Sequence, residues 1–173
     1  GSLGWSRPRQ VFPLTLLLFL YVMFKSLFWN VRGLDNSITI ARLRKLRLLH
    51  EFSLLGVCEP KMDASRFDWI RQRLGFDGCC PTNDGRLVGF HSSEFSCSIV
   101  GQSSQYLALR VTHSQMSIEV VGVFVHAACS VSDRRELWAG LCALPVLGLP
   151  LPFLGDFNVT LYAEGRSERR RVG

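Results

Sequence analysis

The chain has 173 residues, of which 47% are hydrophobic and 20% charged. That composition supports one globular domain with a real core and excludes a disordered chain. Lys and Arg number 20 against 14 Asp and Glu, a formal net charge of +6, which favours polyanionic partners such as nucleic acid or an acidic membrane surface.

Part of the basic surplus lies in residues 42–47 and part in residues 166–171. Such runs also serve as a solvated helix face and a frayed terminus. The six cysteines form no C-x-x-C pair, and Cys79 and Cys80 are adjacent. Neither His113 nor His126 has zinc-type Cys/His spacing around it. The thiols therefore read as reduced and mostly buried in an intracellular protein.

Residues 11–24 are apolar apart from Thr15, with Pro13 near the start and Arg7 and Arg9 ahead. A basic flank before an apolar run resembles a signal peptide or short anchor. The uninterrupted stretch is shorter than the ~20 residues that span a bilayer, Lys25 breaks it, and no small-residue cleavage site follows. Residues 1–24 read as a leader outside the domain, with a membrane anchor as the alternative.

Beyond the leader, residues 25–31 read as a buried strand and residues 32–36 as a loop. Asn36 or Ser37 can cap a helix running to about Glu51, with Ile40, Leu43, Leu46 and Leu49 or His50 at helical spacing. Residues 54–58 form a short apolar run suited to a buried parallel strand. Asp63 or Ser65 can start a second helix whose Phe67, Ile70 and Leu74 face inward. Residues 86–91, 95–100, 106–112 and 117–126 read as successive strands separated by Gly, Ser, Asn and Asp. Asp133 opens a helix with Leu137, Leu141 and Leu144. Residues 145–152 form a Pro/Gly/Leu turn, residues 153–155 a last core strand, and the residues after Glu164 a basic tail. The pattern is α+β, without repeats.

Three of the predicted strands end in the same way. Residues 26–29 run into Asn30, residues 54–58 into Glu59, and residues 151–155 into Asp156-Phe157-Asn158. Ligand groups gather at the carboxyl ends of strands in open α/β sheets. Carboxylates and amides brought together there are hard oxygen ligands, suited to Mg²⁺ or Mn²⁺ rather than zinc. Singly, each residue is also an ordinary turn former. Gly155 permits close backbone approach beside Asp156.

Specific sequence blocks carry a family resemblance. Phe28-Trp29-Asn30-Val31-Arg32-Gly33-Leu34 resembles the first motif of the endonuclease/exonuclease/phosphatase superfamily in its plant LINE retrotransposon form. The stretch from Leu54 through Glu59 to Met62 is similar to the second motif, with Pro60 where the family usually has Thr. Ser104–Val111 resembles the middle strand of those endonucleases. Val123–Ala127, with Arg134-Arg135-Glu136-Leu137-Trp138, resembles the next strand and helix. Leu154-Gly155-Asp156-Phe157-Asn158 resembles the G-D-F-N block. The resemblance covers about Lys25 to Glu164.

It implies an incomplete four-layer α/β sandwich of the deoxyribonuclease-I-like type over residues 25–164, flanked by the leader and a basic tail at 165–173. It also implies Mg²⁺- or Mn²⁺-dependent phosphodiester hydrolysis on DNA. Glu59 and Asn30 would serve the metal, Asp156 the water nucleophile, and Asn158 and His126 the phosphate. Arg32 and Lys61 would meet the DNA backbone. The family's Ser-Asp-His block has no counterpart before Gly173, so the expected activity is weak or impaired, in the nucleus. A catalytically inert remnant that binds nucleic acid and a membrane-attached phosphatase of the same superfamily are the alternatives. No protein partner is identifiable.

Overall fold

The computed structural model describes residues 25–146 and 148–159. The leader at 1–24 and the basic tail at 165–173 lie outside the described residues. Among the described residues no helix is long and apolar enough to cross a membrane.

Eight strands form two four-stranded sheets. The first contains β1 (Ser26–Asn30), β2 (Leu54–Cys58), β3 (Gly78–Pro81) and β4 (Leu87–His91), in the order β1-β2-β4-β3. The second contains β5 (Phe95–Gln102), β6 (Tyr106–His113), β7 (Glu119–His126) and β8 (Phe153–Asp156), in the order β5-β6-β7-β8. The pairs β1–β2 and β7–β8 are parallel and the rest antiparallel. Helices α1 (Ser37–His50) and α2 (Phe67–Leu74), the latter preceded by a 3₁₀ turn at Ala64–Arg66, cover the first sheet. Helix α3 (Val131–Cys142) covers the second. This is an α+β four-layer sandwich.

Alternation along the strands builds three cores from one sequence. In β2, Leu55 and Val57 face the helices, while Leu54 and Cys58 face the second sheet. In β6, Leu107, Leu109 and Val111 join the inter-sheet core, and Tyr106 and Ala108 turn toward α3. Both faces of β2 and of the first half of β6 are covered, so these stretches are apolar, while Arg110, Thr112 and His113 lie in the less buried second half of β6. Gly56 makes the inter-sheet contact possible: a Cβ there would lie 2.3 Å from the Phe124 ring. That ring stacks on Phe28 at 6.1 Å between centroids.

The helix starts follow their capping residues. Asn36 accepts from Thr39 N at 2.7 Å ahead of α1, and Asp63 accepts from Ser65 N at 2.8 Å ahead of the 3₁₀ turn. Helix α3 begins two residues before Asp133, because Ser130 is the cap, accepting from Asp133 N at 3.1 Å.

Three expectations need correction, and one strand was missed. The strand at Gly78–Pro81 was not legible: its Gly-Cys-Cys-Pro sequence has no apolar run, and its pairing with β4 creates it. Both β1 and β8 are edge strands, so β1 is half-buried and Phe153 in β8 is 42% exposed. Leu49 is 64% exposed, because the inward face of α1 is set by Ile40 and Leu43. Of the six free thiols only Cys58 is buried, and Cys129 and Cys142 are exposed.

Candidate active site

The inter-sheet core becomes polar at one end, and the same alternation causes it. Phe28, Phe124 and Leu154 all pack into that core. Two residues further along their strands stand Asn30, His126 and Asp156, on the same faces. The two edge strands β1 and β8 pack against each other, which brings these ends together.

Asn30 Nδ2 donates to Glu59 Oε1 at 3.1 Å and lies 3.4 Å from His126 Nε2. His126 Nε2 is also 3.4 Å from Glu59 Oε1. Residues 30, 59 and 126 thus form a triangle of side chains from separate strand ends. With Nε2 unprotonated, the ring accepts from Asn30; with Nε2 protonated, it donates to Glu59.

The donor bond from Asn30 is the main reason the Glu59 carboxyl is held below its ordinary range. Partial desolvation opposes this, and the charges of His126, Lys61 and Arg32 add to it. Lys61 Nζ stands 3.8 Å from Glu59 Oε2, with its side chain 62% exposed. Arg32 contributes twice: its backbone N–H donates to Asn30 Oδ1 at 3.3 Å, and its guanidinium supplies charge near Glu59.

Asp156 pairs in register with His126 across β7–β8. Its carboxylate accepts from Asn158 N at 2.9 Å. The Cys58 thiol, pushed up to about 12 chiefly by burial, also feels the charges of both Glu59 and Asp156. Both carboxylates therefore flank one end of β2. Asn158 sits differently from the others: its side-chain amide donates to Ala127 O, tying the end of β8 to the end of β7.

The loops that carry these residues hold unusual backbone. Five non-glycine described residues have positive φ, and four of them are Arg32, Glu59, Lys61 and Asn158, with φ of 48°, 52°, 49° and 48°. The fifth, Glu51, ends α1. Such conformations are disfavoured for residues with a Cβ and cluster at functional sites. Here they are over-determined by pairing: Val31 N, Gly33 N and Leu34 N donate to Cys58 O, Glu59 O and Pro60 O at 3.2, 2.9 and 2.8 Å.

Sequence reasoning gave no role to two buried polar residues below the site, Gln105 and Arg134. Gln105 Oε1 accepts from Ala128 N at 2.8 Å, and its backbone carbonyl accepts from His126 N at 2.8 Å. Arg134 donates to main-chain carbonyls in the same region. Gln105 stands just ahead of β6 and Arg134 in the polar first turns of α3, so no local pattern sets either apart. A cleft of about 950 Å³ opens at the opposite end of the sandwich, beside Lys25 and Ser53 at the starts of β1 and β2. It holds none of Asn30, Glu59, His126, Asp156 and Asn158.

The donor set can be tested against a divalent ion. Among the described residues, no group of three or more His, Cys, Asp or Glu is placed to cage a metal, which does not suit zinc or a calcium cage. Mg²⁺ asks for less, since it keeps several waters and takes one or two carboxylates plus substrate phosphate. The Glu59 carboxylate, with the Asp156 carboxylate at the same end, fits that requirement; the Asn30 amide oxygen joins them only by giving up its bond from Arg32 N and turning past Nδ2, which now faces Glu59.

No protein-family model and no curated protein matches the sequence. Solved structures do match its architecture. An endonuclease/exonuclease/phosphatase family protein from Bacteroides thetaiotaomicron gives a TM-score of 0.58 at 13% identity, over 78% of this chain and 62% of that one. The fold is that of the endonuclease/exonuclease/phosphatase proteins. The human Nocturnin catalytic domain with a bound sulfate anion gives 0.51 at 14% identity, over 76% of this chain and 63% of that one. The mannosyl-6-phosphatase of Bacteroides thetaiotaomicron gives 0.52 at 15% identity, over 78% and 65%. The chain spans less than two thirds of each of these endonuclease/exonuclease/phosphatase-type structures.

Proposed function

We propose that this chain carries a Mg²⁺- or Mn²⁺-dependent phosphodiester hydrolase site acting on DNA, derived from a LINE-type retroelement and acting in the nucleus. The observation that carries the reading is the triangle of Asn30, Glu59 and His126, within 3.4 Å of one another from three strand ends. The retroelement origin rests on the sequence blocks around Trp29–Leu34 and Val123–Trp138.

Glu59 and Asn30 would hold the cation, with Asp156 close by. A divalent ion bound there polarises a phosphoryl oxygen and offsets charge on the leaving oxygen. The remaining work belongs to the chain's own residues. Asp156, oriented by the Asn158 N–H, accepts the proton of the attacking water. The new O–P bond forms as the P–O bond to the 3′ oxygen breaks. His126, with its Nε2 protonated, exchanges its bond to Glu59 for one to a phosphate oxygen. Asn158 closes the same side. Arg32 and the exposed Lys61 offer positive charge to neighbouring phosphates, which gives sequence-independent, salt-sensitive binding.

Nicking of supercoiled plasmid tests the reading. Nicking should require Mg²⁺ or Mn²⁺, stop with EDTA and be lost in Glu59→Ala. A sugar phosphomonoester serves as the contrasting substrate and should be left intact. Nicking that survives Glu59→Ala would reject the assignment, and release of inorganic phosphate without nicking would move the site to phosphomonoesters.

A further inference from the structure

Arg134 is 8% exposed, yet the groups it meets are main-chain carbonyls. Its Nη1 donates to Ala128 O at 3.0 Å, Cys129 O at 2.8 Å and Asn158 O at 2.9 Å. Two of those carbonyls follow β7 and the third follows β8. These are the segments that leave His126 and Asp156 behind them.

The cross-links between the two segments are dense. Ala127 N donates to Asp156 O at 2.8 Å, and Asn158 Nδ2 donates to Ala127 O. Gln105, 7% exposed, grips the β7 side by accepting from Ala128 N and anchors to α3 by donating to Asp133 O at 2.9 Å. A buried cation satisfied by carbonyls alone is costly to keep. A hydrophobic residue would fill the same volume but could not bridge the two backbones.

We propose that Arg134 is a positioning residue: it locks the ends of β7 and β8 into one unit, so that His126 and Asp156–Asn158 hold a fixed spacing. This rests on the hydrolase reading for its consequence, though not for its structural content. Neither Arg134 nor Gln105 needs to touch substrate. Arg134 acts through the backbone of residues 127–129 and 158, and Gln105 supports the first of these.

Amide hydrogen exchange on the full chain, paired with plasmid nicking, tests this. In Arg134→Met, exchange at Ala127, Ala128 and Asn158 should rise together by about tenfold or more, with β2 and β4 unchanged. Nicking should lose about 10- to 100-fold in kcat with KM unchanged. Loosening of one strand end without the other, a uniform rise across both sheets, or no change would overturn the proposal. If Arg134→Met does not fold, Arg134→Lys carries the test, with a smaller but still coupled rise expected; no rise at either strand end would overturn it. If the unaltered chain does not nick DNA, the hydrolase reading fails, while the exchange result still decides the coupling.

Discussion

Replacing Gly155 by alanine isolates the geometry on which Asp156 depends. Gly155 pairs with Val125 in the β7–β8 register and has a φ of +155°. A Cβ there would sit 1.9 Å from Val125 O, 2.7 Å from its carbonyl carbon and 2.8 Å from its nitrogen. All three atoms are backbone, so no rotamer change relieves the clash. Overpacking costs about 1–3 kcal/mol, and a backbone conformation reserved for glycine adds about 1–3 kcal/mol. The total, about 2–6 kcal/mol, is a large share of the ~5–15 kcal/mol that stabilises a domain. Because β8 is an edge strand, the cheaper relief is to peel it from β7, which carries Asp156 and Asn158 away from His126. Gly155→Ala should therefore lower Tm by at least about 5 °C and reduce plasmid nicking by more than the lost folded fraction accounts for. Gly122→Ala on β7 is the control, since nothing lies within 4 Å of its added Cβ, and it should leave both readouts intact. Unchanged Tm and nicking in Gly155→Ala would refute the reasoning.

Three further outcomes follow from particular contacts. The Glu59 carboxyl should titrate below the ordinary ~4.3 in carbon-detected NMR, and Asn30→Ala should raise it, because the Asn30 donor bond is the first cause of the depression. The sign is that of a depressed carboxylate: its stabilisation is complete above the ordinary value and is lost as pH falls through the folded value. A Glu59 titration at or above the ordinary value in the native chain would contradict this. Asn36→Ala removes the 2.7 Å cap to Thr39 N and the 3.2 Å bond to Gly33 O, and should cost about 1 kcal/mol in urea unfolding; a change below about 0.3 kcal/mol would argue against the cap. Iodoacetamide at pH 8, read by mass spectrometry, should modify the exposed Cys129 and Cys142 and spare Cys58, whose thiol is pushed up to about 12.

Much of the fold was legible because most elements are dictated locally. Residues 54–58 are an unbroken apolar run bounded by Ser53 and Glu59, and that is β2 to the residue. Asn36 announced its helix through capping chemistry, and Asp63 announced the 3₁₀ turn that leads into α2 at Phe67. What failed was set by tertiary neighbours. Gly78–Pro81 is a strand because β4 lies beside it, and β1 is only half-buried and β8 largely exposed because of where the sheet order places them. The site shows the same division. Asn30, Glu59 and Asp156 were visible as polar residues closing apolar strands, since the strand period itself carries the inter-sheet core into the site. The positive φ of Arg32, Glu59, Lys61 and Asn158 was not visible, because no glycine marks it. Arg134 and Gln105 act through main-chain atoms of distant segments, which residue type alone does not reveal.

Manganese titration of the full chain, followed by the NMR signals of the histidine rings, tests the central claim most directly. Paramagnetic broadening should strike the His126 ring and the Asn30 side-chain amide first, spare His50 and His91, and disappear in Glu59→Ala. Broadening that leaves His126 and Asn30 untouched, or that persists without Glu59, would show that these strand ends do not hold a cation.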